Sequence, residues 1–172
     1  MAARKTAVAK KATSAKKAAK PRRKTPAAEW AETYLPLTDA ARERFAFLVR
    51  EQGYAEPTVA VVPPDAVITF TKGADFVRVQ SEYGGPPWVV VQAGAGERYG
   101  LPVIMAELDP AYASHAPVPA GKELTDDEMR AAVAFLAGFL EKHAAEVLRG
   151  DPALLARFKQ REAALRVKTP TL

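Results

Sequence analysis

Residues 58–92 read TVAVVPPDAVITFTKGADFVRVQSEYGGPPWVVVQ, and the period of this stretch decides the fold. Four runs rich in β-branched and aromatic residues stand out: TVAVV at 58–62, AVITFTK at 66–72, FVRVQSEY at 76–83 and WVVVQ at 88–92. Pro-Pro-Asp, Lys-Gly-Ala-Asp and Gly-Gly-Pro-Pro separate them, which is turn chemistry at hairpin length. In the third run Val77, Val79, Ser81 and Tyr83 alternate with Phe76, Arg78, Gln80 and Glu82, the pattern of a sheet with one covered and one wet face. The sheet is expected to be antiparallel.

Upstream the period changes to helical. Leu37-Thr38-Asp39 reads as a cap, AARERFAFLVREQ as about 13 residues of helix, and Gly53 as its terminator. Ala41, Phe45, Leu48 and Val49 are expected to face the core and Arg42, Arg50 and Glu51 the solvent. A shorter helix is expected from Thr25-Pro26, with Trp30 and Tyr34 on one face. Pro36 is expected to restrict Leu35 and end it.

Downstream, ERYGLPVIMAELDP at 97–110 reads either as a fifth strand reaching Met105 or as a short helix, with an extended start and a helical end favoured. Residues 110–124 are rich in Pro and Ala and read as a loop. Thr125 then caps a long helix whose first turn holds Asp126, Asp127 and Glu128, where the helix dipole favours carboxylates. Met129, Val133, Leu136, Leu140, His143 and Val147 form its apolar stripe, widened by Phe135 and Phe139, and Gly150 ends it. Asp151-Pro152 opens a last helix carrying Leu154, Leu155 and Phe158. The expected class is α+β: an antiparallel four- or five-stranded meander covered on one face by an N-terminal helix and two C-terminal helices. It occupies residues 26–168 as one domain, preceded by a disordered basic tail over 1–25.

Charge divides at the same boundary. Arg4, Lys5, Lys10, Lys11, Lys16, Lys17, Lys20, Arg22, Arg23 and Lys24 stand in the tail without one carboxylate. The rest of the chain holds the other 15 of the 25 Lys and Arg against all 20 Asp and Glu, so a net charge of +5 joins a cationic leader to an anionic body. The tail's low hydrophobicity and high charge cannot offset its ordering entropy by burial, hence the expected disorder. Its Ala and Lys can turn helical once a polyanion neutralises them, up to Pro21.

Ala15-Lys-Lys-Ala-Ala-Lys-Pro21 resembles the tails of linker histones and of bacterial proteins with histone-like extensions. That resemblance implies sequence-independent contact with nucleic-acid phosphates through the ten tail cations. The tail has no aromatic residue on which a single-stranded base could stack. Solubilisation of the domain and organellar targeting are the competing readings of such a composition.

Residue chemistry offers little sign of catalysis. Cysteine is absent, which removes disulfides, thiolate metal sites and cysteine nucleophiles. His115 and His143 have no ligand at a standard spacing, so no metal and no cofactor is expected. His143 reads as a half-buried packing residue or a pH-sensitive contact. Ser114 adjoins His115 rather than facing it across a turn, and Gly94-Ala-Gly96-Glu-Arg-Tyr-Gly100 misses the dinucleotide-binding spacing and reads as a strand connection. The carboxylates at 126–128 are explained by the helix start alone. Tyr83, Trp88 and Tyr99, close in sequence and beside Pro86-Pro87, are candidates for an aromatic patch that docks a partner, with core packing as the alternative. No membrane span and no secretory signal are expected, which points to the cytoplasm, and the basic tail is what suggests nucleoid association there.

FLVREQGY at 47–54, VRVQSEYGGPPWVVVQ at 77–92 and AEVLRGDPALLARF at 145–158 together resemble a group of small bacterial α+β domains of unassigned activity. Similar architectures occur among the immunity proteins of toxin systems. The likeness spans roughly residues 38–162 and rests on a helix end and a helix-to-helix turn. It implies binding and inhibition of a toxin or other partner as the alternative to a non-enzymatic interaction module with a nucleic-acid-binding tail.

Overall fold

The computed structural model describes residues 26–94, 96–117 and 123–168. The basic tail and the disorder expected of it lie outside the described residues. Strands β1 (Thr58–Val62), β2 (Asp65–Lys72), β3 (Asp75–Glu82), β4 (Trp88–Gln92) and β5 (Arg98–Gly100) form one antiparallel sheet in the order β1-β2-β3-β4-β5. Hairpin-length connections bring each strand back beside its predecessor. Val62 pairs with Asp65 across Pro63-Pro64, whose peptide is cis, and Lys72 pairs with Asp75 across Gly73-Ala74.

The register puts Ile68, Val79 and Val89 in one row and Phe70, Val77 and Val91 in the next, all buried. Their strand neighbours Val67, Arg78, Gln80, Trp88 and Val90 face the other way and stay half-buried or exposed. Ser81 is the polar member of the inner face, and its hydroxyl donates to the Gly85 carbonyl at 2.7 Å, so its burial leaves no orphan.

The helices among the described residues are α1 (Pro26–Thr33), α2 (Leu35–Arg44), α3 (Ala46–Arg50), α4 (Leu101–Leu108), α5 (Pro110–Ala113), α6 (Asp126–Val147) and α7 (Pro152–Lys168), and their buried side chains join those of the inner face in one core. Residues 97–110 resolve into a strand of three residues followed directly by α4, an extended start and a helical end. The proline-rich stretch after it opens with the single turn of α5.

Two helix boundaries differ from the sequence expectation. Pro36 starts a helix rather than ending one: it occupies the first turn of α2, where a missing N–H costs nothing. Thr38, expected in the cap, lies inside α2 and donates to the Leu35 carbonyl at 3.1 Å. The single helix expected over 40–52 is broken at Phe45 (φ −94°, ψ 12°). In a continuous helix Phe45 and Phe47 would point about 200° apart. The break lets both enter the core, where Phe45 lies 6.2 Å from the Phe47 ring and 6.0 Å from the Phe70 ring.

On α6 the most buried line runs through Met129, Val133, Leu140, Ala144 and Val147, while Leu136 and His143 sit at its half-buried margin. Thr125 and Glu128 form a reciprocal capping box at its start. Asp151 caps α7 by accepting from Ala153 and Leu154 N–H at 2.8 and 3.1 Å. Leu154, Leu155 and Phe158 then bury their side chains.

Candidate functional site

Tyr34 organises the end of the molecule where the leader enters. It is 1% exposed, stacks on Trp30 at 6.0 Å, and sends its hydroxyl between two turns. The hydroxyl donates to the Pro64 carbonyl and accepts from Gly84 N–H at 3.2 Å. Burial holds the phenol above its ordinary pKa of 10.0. Gly84 in turn accepts from Leu124 N–H at 3.3 Å, which draws the approach to α6 against the β3–β4 turn.

The result is a groove built from three distant segments. One cavity of about 460 Å³ is lined by Glu29, Trp30, Thr33, Tyr83, Glu123 and Leu124. A second of the same volume shares Thr33, Gly84 and Leu124 with it and continues past Leu35 and Asp39 to Asp126 and Arg130. Together the described wall residues carry the carboxylates of Glu29, Glu32, Asp39, Glu123 and Asp126 against the guanidinium of Arg130. Tyr83 stands at the rim 65% exposed and in the left-handed region (φ 52°), an unfavourable conformation for a bulky side chain. Leu35, 51% exposed, adds apolar surface. Such walls suit a cationic chain: carboxylates for the charged heads, rings for cation–π contact, and aliphatic surface for the Lys and Arg stems.

The three aromatic candidates part company. Tyr83 joins the groove, Trp88 lies 37% exposed on the outer sheet face opposite Gln80, and Tyr99 is buried against the core. The Tyr99 hydroxyl sits between the Glu97 carboxylate and the Leu155 carbonyl, and its ring meets Phe158 edge-on at 5.4 Å. Burial first and Glu97 second push its pKa up to about 12. The ten tail cations, Arg4 to Lys24, lie outside the described residues.

The outer sheet face has a charge pattern of its own. Arg78 and Arg98 stand over the Phe76 ring at 4.7 and 5.5 Å near one end, and a small cavity lined by Asp65, Glu82, Gln80 and Trp88 occupies the other. His115 is exposed, with Nδ1 at 2.8 Å from the Ala111 carbonyl and 3.3 Å from Ser114 Oγ. His143 packs on Phe139 at 4.6 Å with Nδ1 4.0 Å from Glu146. Of the 94–100 stretch, expected as a strand connection, Arg98–Gly100 are β5 itself, and Gly94 rests on Gly150 in the turn between α6 and α7. Among the described residues no three His, Asp or Glu side chains are grouped to hold a metal ion, and no helix is long and apolar enough to cross a membrane.

Of the groove's residues the sequence offers Tyr83 as a docking candidate, and it assigns none of the carboxylates to a site. Glu29 and Glu32 belong to an N-terminal helix, Asp126 to a helix start and Glu123 to the loop before it. Their meeting depends on the Tyr34–Gly84–Leu124 connection, which joins positions far apart in the chain and leaves no local signature. Comparisons with protein-family models, with curated proteins and with solved structures find no match to this chain.

Proposed function

We propose that the protein is a non-enzymatic interaction module: the leader contacts nucleic acid or another polyanion, and the folded body binds a cationic segment of a protein. The observation that carries this reading is the separation of charge. Ten Lys and Arg stand in residues 1–25 with no carboxylate, while the body carries all 20 carboxylates and concentrates several in a groove with exposed aromatic surface. A cationic leader gains affinity by releasing counterions from phosphates and needs no base contact. The compartment that suits such a role is the cytoplasm, at the nucleoid.

The test is duplex binding across a salt series by the full chain and by a variant with Lys10, Lys11, Lys16 and Lys17 changed to Gln. Four lost phosphate contacts flatten the slope of log K against log salt by about 3.6, at about 0.9 per contact. Equal slopes and affinities for the two proteins would remove the claim.

The acidic groove also favours a second reading, an immunity-like protein that binds and inhibits a basic toxin. It predicts a toxin-type gene beside this one, whose product binds the full chain and loses its activity on binding. An unrelated genetic neighbourhood speaks against it.

A further inference from the structure

The groove opens beside the junction of leader and body. Residue 25 adjoins Pro26, and Glu29 and Trp30, in the next turn of α1, already line the first cavity. We infer that residues 1–25 dock in cis into this groove, with Lys and Arg heads against Glu29, Glu123 and Asp126 and over the Trp30 and Tyr83 rings. The inference rests on the polyanion reading above and adds regulation to it: the body competes with nucleic acid for its own leader.

Reach, concentration and charge all support this occupant. Lys16, Lys17 and Lys20 precede Pro26 by no more than ten residues. At about 3.3 Å per extended residue that length can turn back along α1 and reach the second cavity. A short covalent tether holds the segment near its site at an effective concentration on the order of millimolar. The leader has ten cations and no carboxylate, so among the described wall residues only Arg130 repels it. The described groove carboxylates are fewer than the leader's cations. Docking therefore attenuates phosphate contact without abolishing it, and a polyanion of high charge density displaces the groove.

The absence of cysteine makes a direct test clean: Ser14→Cys carries a single nitroxide on the otherwise unaltered full chain. At low salt the label should broaden the amide signals of Glu29, Thr33, Tyr83 and Leu124. The signals should recover near about 1 M salt, where the Debye length falls to about 3 Å. They should also recover in the double variant Glu29→Gln, Glu123→Gln. With the leader docked for about 70–90% of the time, releasing it raises duplex affinity about three- to tenfold in that variant.

Equal broadening of the outer sheet face, or broadening unchanged by both salt and variant, overturns the inference; the salt arm needs no substitution in the body. Broadening seen only between a spin-labelled copy and a separate isotope-labelled copy overturns docking in cis. The two readings fail separately. Groove broadening without duplex binding sinks the polyanion reading alone, and salt-sensitive duplex binding without groove broadening sinks the docking alone.

Discussion

Gly150 and Gly94 meet backbone to backbone: a Cβ built on Gly150 would lie 2.7 Å from the Gly94 nitrogen and 2.8 Å from its Cα. Both residues take positive φ, +66° and +69°. The α6–α7 turn thus sits directly on the β4–β5 connection, and the glycines that end a helix and start a loop in sequence serve one contact.

Gly150→Ala is therefore expected to cost about 2–4 kcal/mol, from a strained φ together with a backbone clash that no side chain can yield to. Thermal unfolding should show a fall on the order of 10 °C. Gly73→Ala is the reference, since its φ is also positive and its Cβ meets nothing within 4 Å. Equal losses for the two variants would mean that the approach to Gly94 contributes nothing.

Glu107 holds α7 on α4 through Arg157 at 2.7 Å and Arg161 at 3.1 Å. These guanidiniums, Arg157 foremost, draw its pKa below the ordinary 4.5. A depressed carboxylate stabilises the fold fully above its unfolded pKa and stops doing so as pH falls through the lower folded value. Melting curves of the wild type and Glu107→Gln should accordingly differ at neutral pH and converge as pH falls from 4.5 through the lower folded value. A gap that persists unchanged in acid would show that packing, not charge, is what the glutamine loses.

Thr125→Ala removes the hydroxyl that accepts from Glu128 N–H at 3.3 Å and should cost about 1 kcal/mol, with Thr125→Ser restoring most of it. Denaturant midpoints at constant m-value read this directly. An alanine variant as stable as the parent would argue that the 22-residue helix α6 is held by its core stripe alone.

Tyr83→Gly is expected to stabilise the fold by about 1 kcal/mol, because glycine adopts the φ of 52° without the steric cost a tyrosine bears. Chemical denaturation checks the sign. Loss of stability would show that the exposed ring is packed well enough in the groove to offset its backbone.

Much of this fold is legible in local pattern. The four long strands appear because β-branched runs are separated by turn residues, and the observed β1 and β4 match 58–62 and 88–92. Capping chemistry likewise marks the starts of α6 and α7. The break at Phe45 is not legible, since the Phe70 ring that Phe45 packs against stands on another element. Pro36 misleads because proline both ends helices and opens them, and only the path of the chain before it separates the cases. The groove is hidden for the same reason: no local pattern assigns its acidic residues to a site, and the hydrogen bonds that gather them run through main-chain groups at Pro64 and Gly84. Tyr83, Trp88 and Tyr99, near one another in sequence, were placed by strand alternation and turn geometry in three different environments.

Because both partners of the Tyr34 hydroxyl belong to the main chain, neither depends on which side chain stands at positions 64 and 84. Any replacement there that keeps the path of the backbone keeps the bond, and at position 84 that path has φ +68°, which selects for glycine. Divergent descendants of this chain should hold a hydroxyl-bearing ring at position 34 and a glycine at position 84.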